Sequence, residues 1–316
     1  MHRPYRRTTE DFSLPPVRAR SPYDHVGSDY TTYADGDPQK LFAFTSLHAY
    51  ADKCVWTHLD AQLRALKANG ATAVSILDAG CGPGTWLRRL IAHAHWLGFT
   101  DIRARGFDIS EVQICAAQKK SRAVARLAGV RLTFEVADLT TALPEADHSV
   151  DLTLCLYSVL SHLPRRTLPG VVAEFARVTR GHIVTTVRSI GSTPTIYVDS
   201  LEKARSFRQD HAHDRCTVEL SNGAHLEMNS HLFSAEELKC CFGSQFEIED
   251  LSGLDIFHGR FALDRRWNPA TLGADDALAA ELARLERTYA HDDHLIDRAN
   301  HLLLVGRCLK GQPEQH

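Results

Sequence analysis

The run Leu77-Asp78-Ala79-Gly80-Cys81-Gly82-Pro83-Gly84-Thr85 sets three alternating glycines behind a carboxylate. Glycine lacks a Cβ, so such a turn accepts positive φ and lets a ligand lie against the backbone. A dinucleotide turn reads G-x-G-x-x-G, its last glycine allowing the helix to pack beside a pyrophosphate. Here the sixth position is Thr85, and Asp78, just ahead of the turn, is a poor neighbour for a diphosphate. The acid suits a ligand that carries an ammonium group. Two further acids end apolar runs, Asp108 in Gly106-Phe107-Asp108-Ile109-Ser110 and Asp138 in Val136-Ala137-Asp138-Leu139. A carboxylate can take two adjacent hydroxyls at once, or accept from an amine. His162 is a general base for an acceptor hydroxyl or a polar cap on the turn that follows it.

Two histidine pairs invite a metal reading, His211 with His213 and His291 with His294, but neither spacing matches a known ligand geometry, so no metal is expected. Of the eight cysteines, Cys54, Cys115, Cys155 and Cys308 sit inside apolar runs, as small buried hydrophobes do. Reduced thiols are expected.

The elements that must hold these residues alternate. From Lys40 to about Leu66 apolar residues recur at three- and four-residue steps, and Asn69-Gly70 closes the helix. Val74 to Ala79 reads as a strand, Trp86 to Leu97 as a helix, and Ile102 to Phe107 as a strand. Ser110 to Leu127 reads as a helix opened by a capping box with Gln113. Val130 to Val136, Val150 to Leu156 and His182 to Val187 are further strands, with a helix at Leu168 to Val178. Strands apolar on both faces predict a Rossmann-like α/β fold, a doubly wound, mostly parallel sheet with helices on both faces.

The alternation breaks after Arg188. Cys216 to Leu220 and His225 to Asn229 are alternating runs joined by Ser-Asn-Gly, which predicts a β-hairpin within an inserted lid. A helix then starts at Ser234, Phe246 to Leu251 and His301 to Cys308 are late strands, and Asp275 to Ala290 is a helix between them. The expected organisation is an arm and helix over residues 1-70, a ligand-binding core over 71-189, an inserted lid over 190-232, and completion of the sheet over 233-316.

The chain has 316 residues, 44% hydrophobic, with a formal charge of -3 and no run of like charge to track a phosphate backbone. Nucleic acid is not expected as a partner. Met1 to Pro16 is rich in Arg and lacks an apolar stretch of signal-peptide length, and no segment is apolar long enough to span a bilayer. A cytoplasmic protein with no membrane partner is expected.

The glycine turn and the acids ending successive strands resemble the class I S-adenosyl-L-methionine-dependent methyltransferases, whose first motif is matched from Leu77 through Gly84. The resemblance implies S-adenosyl-L-methionine as cofactor. It assigns Gly80, Cys81, Gly82 and Gly84 to the methionine part of the cofactor, with Asp78 acting through water or the turn amides. Asp108 would accept from both ribose hydroxyls with Ile109 against adenine, while Asp138 and Leu139 would meet the adenine edge. Tyr157 falls in the family's motif at the mouth between cofactor and acceptor. Tyr30 and Tyr33 resemble a tyrosine-rich arm that closes over the methionine end; the other reading is a packed surface arm.

The Asp/Asn-Pro-Pro-Tyr/Phe signature for exocyclic amines of nucleobases is absent, which disfavours that class, and the near-neutral charge, tyrosine-rich arm and inserted lid make the O or N atom of a small molecule the expected acceptor. Arg188, His231 and Tyr197, at the edge of or within the insert, are candidates to touch it. A protein- or RNA-directed methyltransferase and a non-catalytic cofactor-binding regulator are the alternatives.

Overall fold

The computed structural model describes residues 41–44, 48–192, 204–258 and 277–309. Tyr30, Tyr33 and Tyr197 lie outside these residues, as do the arm and part of the insert.

Helix α1 (Ala49–Ala68) precedes the sheet. Then come β1 (Ala73–Ala79), α2 (Thr85–Trp96), β2 (Asp101–Asp108), α3 (Glu111–Lys120), β3 (Val130–Val136), β4 (Val150–Cys155), α4 (Leu168–Val178) and β5 (Thr179–Arg188). The insert contributes β6 (Ala204–Asp210), β7 (Arg215–Leu220) and β8 (His225–Asn229). Helix α5 (Ala235–Phe242), β9 (Phe246–Leu254), α6 (Ala277–Tyr289) and β10 (His301–Cys308) complete the described chain.

The main sheet has seven strands in the order β3-β2-β1-β4-β5-β10-β9. β3, β2, β1, β4 and β5 are mutually parallel, and β10 runs antiparallel between β5 and β9. This is the doubly wound sheet with helices on both faces that the alternation predicts. β10 shows why its residues are apolar throughout: Leu302 and Leu304 pack with α4 and α5, while Leu303 and Val305 pack with α1 and α2 on the other face. Far from the glycine turn, Asp151 accepts from Ser75 N–H (2.8 Å) and from Arg180 Nε (2.6 Å) and Nη2 (2.8 Å), tying β1, β4 and β5 at their starts.

Some boundaries differ from the sequence reading. The apolar period from Lys40 carries on into α1, yet Phe44 has φ 48°, which no helix tolerates, and the helix begins at Ala49. Phe44 keeps the phase because its ring packs against buried Arg89 (4.7 Å). Helix α3 stops at Lys120, and a 3₁₀ turn (Val124–Arg126) carries the chain back towards β3. β3 is the sheet's edge, so it is not apolar on both faces; its residues are exposed or half-buried throughout.

The expected hairpin is β7-β8, and β6 adds a third antiparallel strand. β6 was not legible, because Ala-Arg-Ser-Phe-Arg-Gln-Asp has no apolar alternation. This small sheet has its own core of Cys216, Val218, Leu220, Leu226 and Met228. All eight cysteines are free. No helix among the described residues is long and apolar enough to cross a membrane.

Candidate functional site

The carboxyl ends of β1, β2, β3 and β4 meet at one cleft, where open parallel sheets leave room for ligands. Immediately past β1, Gly80 N–H and Cys81 N–H both donate to Phe107 O, at 2.8 and 2.9 Å, binding the glycine turn to the end of β2. Gly80 has φ +78°, and a Cβ there would stand 2.4 Å from Val159 Cγ2. Gly84 caps α2 at φ +75° without a side-chain cap. Both positions therefore demand glycine.

Asp108 spans the turn and the next loop, accepting from Gly82 N–H (3.0 Å) and Ser110 N–H (2.9 Å). Ser110 also caps α3 by accepting from Gln113 N–H (3.3 Å). One oxygen of Asp138, Oδ1, accepts from Thr140 N–H (3.0 Å) and Thr140 Oγ1 (2.7 Å), which fixes the carboxylate at the end of β3. Gly80, Gly82, Asp108 and Ile109 line the cleft on one side, with Asp138 and Leu139 beside them.

Asp78 sits beneath the turn, 2% exposed, and its Oδ2 has no hydrogen-bond partner. Burial, reinforced by the negative charge of Asp108, pushes its carboxyl up to about 8. A buried, unpaired carboxylate oxygen is costly unless a cation or donor meets it. The Cys81 side chain is buried, burial holds its thiol well above the usual range, and Cys81 is not among the residues that line the cleft.

Tyr157 and Ser158 follow β4 with φ 52° and 74°, two successive non-glycine residues in the left-handed region. Such strain persists where surroundings enforce it. Tyr157 N–H donates to Thr186 Oγ1 (2.6 Å), and its hydroxyl donates to Asp52 of α1, a residue 3% exposed. Burial, together with Asp52, raises the phenol well above its ordinary range. Tyr157 lines the cleft, while its hydroxyl is committed to α1.

His162 and Asn229 face the same cleft from opposite elements, the loop after β4 and the last residue of β8. His162 Nδ1 is 2.9 Å from Asn229 O, so Nδ1 carries the hydrogen and Nε2 the lone pair. Burial, with Arg188 nearby, lowers this imidazole to about 4, and it is neutral at pH 7. Asn229 Nδ2 is buried without a partner. Sequence reasoning passed over Asn229 because it closes an ordinary hairpin strand, and Gln113, another lining residue, because it stands as a capping-box partner.

Two acceptor candidates are placed elsewhere. Arg188 is 3% exposed at the end of β5, its guanidinium towards Ser230 Oγ (3.5 Å) and Ser192 Oγ (3.2 Å). His231 is fully buried between Asp214 Oδ1 and Glu237 Oε1, each 3.0 Å from a ring nitrogen. Burial opposes its charge, but the two carboxylates outweigh it and raise its pKa. It pins the insert to α5, and Glu237 also takes Arg165 (2.6 Å). Neither lines the cleft.

A family model described as a methyltransferase domain matches residues 76–182. No curated protein sequence matches the chain. Among solved structures, the [4+2]-cyclase SpnF is 19% identical with a TM-score of 0.51, the match covering 94% of this chain and 98% of that one. Magnesium protoporphyrin IX methyltransferase (ChlM) from Synechocystis PCC 6803 with bound SAH is 16% identical, TM-score 0.43, covering 80% and 82%. Geranyl diphosphate C-methyltransferase from Streptomyces coelicolor A3(2) is 14% identical, TM-score 0.44, covering 76% and 72%. At 19% identity and a TM-score of 0.51, the likeness to the cyclase is one of fold. The domain match over residues 76–182, on a sheet of this order, shows a methyltransferase domain of Rossmann-like fold within the chain, with S-adenosyl-L-methionine as its cofactor.

Proposed function

We propose that the protein transfers a methyl group from S-adenosyl-L-methionine to an oxygen or nitrogen atom of a small-molecule acceptor. One observation carries this reading: a single cleft is lined by Asp108 and Asp138 from two strand ends and by His162 and Asn229 from the loop and the insert that face them.

The residues present fit the cofactor. Asp78 has a buried, unpartnered oxygen beneath the turn, where a cationic group would complement it. Asp108 would take the ribose hydroxyls, and Ile109 and Leu139 would flank the adenine, with Asp138 at its edge. When bound, the cofactor supplies a methyl group on a sulfonium, open to in-line attack. The protein's task is then to hold the attacking atom in line and keep water out.

His162 is neutral and has its Nε2 lone pair as acceptor, so it suits an O–H or N–H of the acceptor. Asn229 Nδ2 is a donor without a partner and suits a carbonyl or hydroxyl oxygen of the same molecule. The insert that carries Asn229 serves as the lid of the acceptor side. Arg188 and His231 support that side from behind, through Ser230 and through Asp214 and Glu237.

A screen of small hydroxyl and amine compounds with methyl-labelled cofactor tests this. Label on an O or N atom, with turnover lost at least tenfold in Asn229→Ala while cofactor affinity holds, is expected. Label only on carbon, on protein or on RNA would overturn the acceptor assignment.

A further inference from the structure

We propose that His48, Asp255 and His301 form a binding site for one divalent first-row transition-metal ion, of which Zn²⁺ is the model. The three residues are far apart in the chain and come from separate elements: His48 precedes α1, Asp255 follows β9, and His301 opens β10. The sheet joins them, because His301 pairs with Leu254 on one side and with Arg188 on the other. One ligand atom from each residue lies within 4.8 Å of the other two. His48 Nδ1 and Asp255 Oδ2 are 3.5 Å apart, close to the separation of about 3.4 Å expected of two ligands on one tetrahedral ion. With every ligand atom within 4.8 Å of the others, bringing the third ligand in requires a shift of at most about 1.4 Å.

Three features point to a ligand beyond a chance cluster. His301 is 6% exposed and its Nδ1 is buried with no hydrogen-bond partner. A buried imidazole nitrogen left unmatched in this way is the exception among folded proteins. Asp255 is 4% exposed and holds φ +59°, a conformation that turns a non-glycine residue at some cost. That turn is enforced from behind: Glu286, fully buried, accepts from Ile256 N–H (3.0 Å), Phe257 N–H (2.8 Å) and His258 N–H (2.9 Å). Glu286 and His258 also approach Asp255, but Glu286 is committed to these amides and to His258 Nδ1 (3.1 Å). It orients the turn and leaves Asp255 to His48 and His301.

Two imidazoles and one carboxylate suit a borderline metal such as Zn²⁺, Co²⁺, Ni²⁺ or Fe²⁺, and three protein ligands leave a position for water or an acceptor atom. The site borders the cleft through Tyr157, whose ring centroid is 5.9 Å from that of His48 and 5.7 Å from that of His301. The absence of a metal from the sequence reading is understandable, because no local spacing links residues 48, 255 and 301.

The test uses the full chain, stripped with chelator and titrated with Zn²⁺ by calorimetry and with Co²⁺ by visible absorption. One equivalent is expected to bind, with the intense d–d bands of a low-coordinate Co²⁺ ion. Asp255→Asn, which keeps a residue tolerant of positive φ, and His301→Ala should each weaken binding by at least about tenfold. Asp255→Asn should keep wild-type affinity for S-adenosyl-L-methionine, which shows that it is folded; if it does not, His48→Ala, at the start of α1, takes its place. Substituting His211 and His213 together should change nothing. No uptake by the wild type, or uptake undiminished in the folded variants, would overturn the proposal.

Discussion

Asp78 is the residue whose chemistry is least at rest. Its carboxyl is buried, lies near Asp108 and is pushed up to about 8, so at pH 7 it is mostly protonated until a cationic group arrives. Cofactor binding at pH 7 is therefore expected to release close to one proton, read from calorimetric enthalpies in buffers of different ionisation enthalpy. Asp78→Asn removes the buried acid, so at pH 8 the variant should be at least as stable as wild type while its cofactor affinity falls at least tenfold. His162 gives the opposite sign. Its folded pKa of about 4 lies below the unfolded value near 6.5, so the unfolded chain binds more protons between those limits. Its stabilising share is complete above pH 6.5 and is lost as pH falls towards 4, a difference of about 3 kcal/mol. His162→Gln should flatten the fall of stability across that window, as measured by denaturant unfolding at a series of pH values.

At this scale the sequence was informative about what could touch a ligand, less so about which way it points. Gly80, Gly82, Asp108, Ile109, Asp138, Leu139, Tyr157 and His162 line one cleft. Each of the acids ends a strand, and the ends of adjacent parallel strands are neighbours. Arg188 and His231 are near by backbone but turned into ion pairs and hydroxyl contacts that only tertiary packing reveals.

Between elements, two fastenings do different work. Asp151 ties β1, β4 and β5 at the edge far from the cleft, where Arg180 and Ser75 N–H saturate its carboxylate. Asp151→Ala should cost about 1–3 kcal/mol, the value of the charge-assisted hydrogen bonds it accepts from half-buried donors, and leave cofactor affinity unchanged within twofold. Tyr157 ties the strained end of β4 to α1 through Asp52. Tyr157→Phe leaves the buried Asp52 carboxylate short of a donor and should lower stability by about 1–3 kcal/mol, checked by thermal and denaturant unfolding. Parallel strands and their helices were readable because period and burial agree. β6, the exposed β3 and the early stop of α3 were not, because edge strands and chain reversals are set by neighbours and not by their own pattern.

Over the whole molecule, a doubly wound sheet holds a cleft at its carboxyl edge and an inserted antiparallel sheet reaches back to it through Asn229. The insert is not loosely hung. Phe233 N–H donates to Arg188 O (2.9 Å), Ile190 N–H to Phe233 O (2.8 Å) and His231 N–H to Ser161 O (2.7 Å), so its exit is anchored to β5 and to the loop of His162. That union of a methyltransferase-domain core with a particular insert is why the cofactor was legible in sequence and the acceptor was not: motifs at strand ends recur among such domains, while an acceptor pocket is made by side chains meeting across distant segments. The most direct measurement is calorimetric titration of the purified chain with S-adenosyl-L-methionine and separately with NADH, repeated on Asp108→Ala. Micromolar binding of S-adenosyl-L-methionine, weakened at least tenfold in the variant and with no response to NADH, is the predicted result; a well-folded chain that does not bind S-adenosyl-L-methionine, or binds it as tightly without Asp108, contradicts the account.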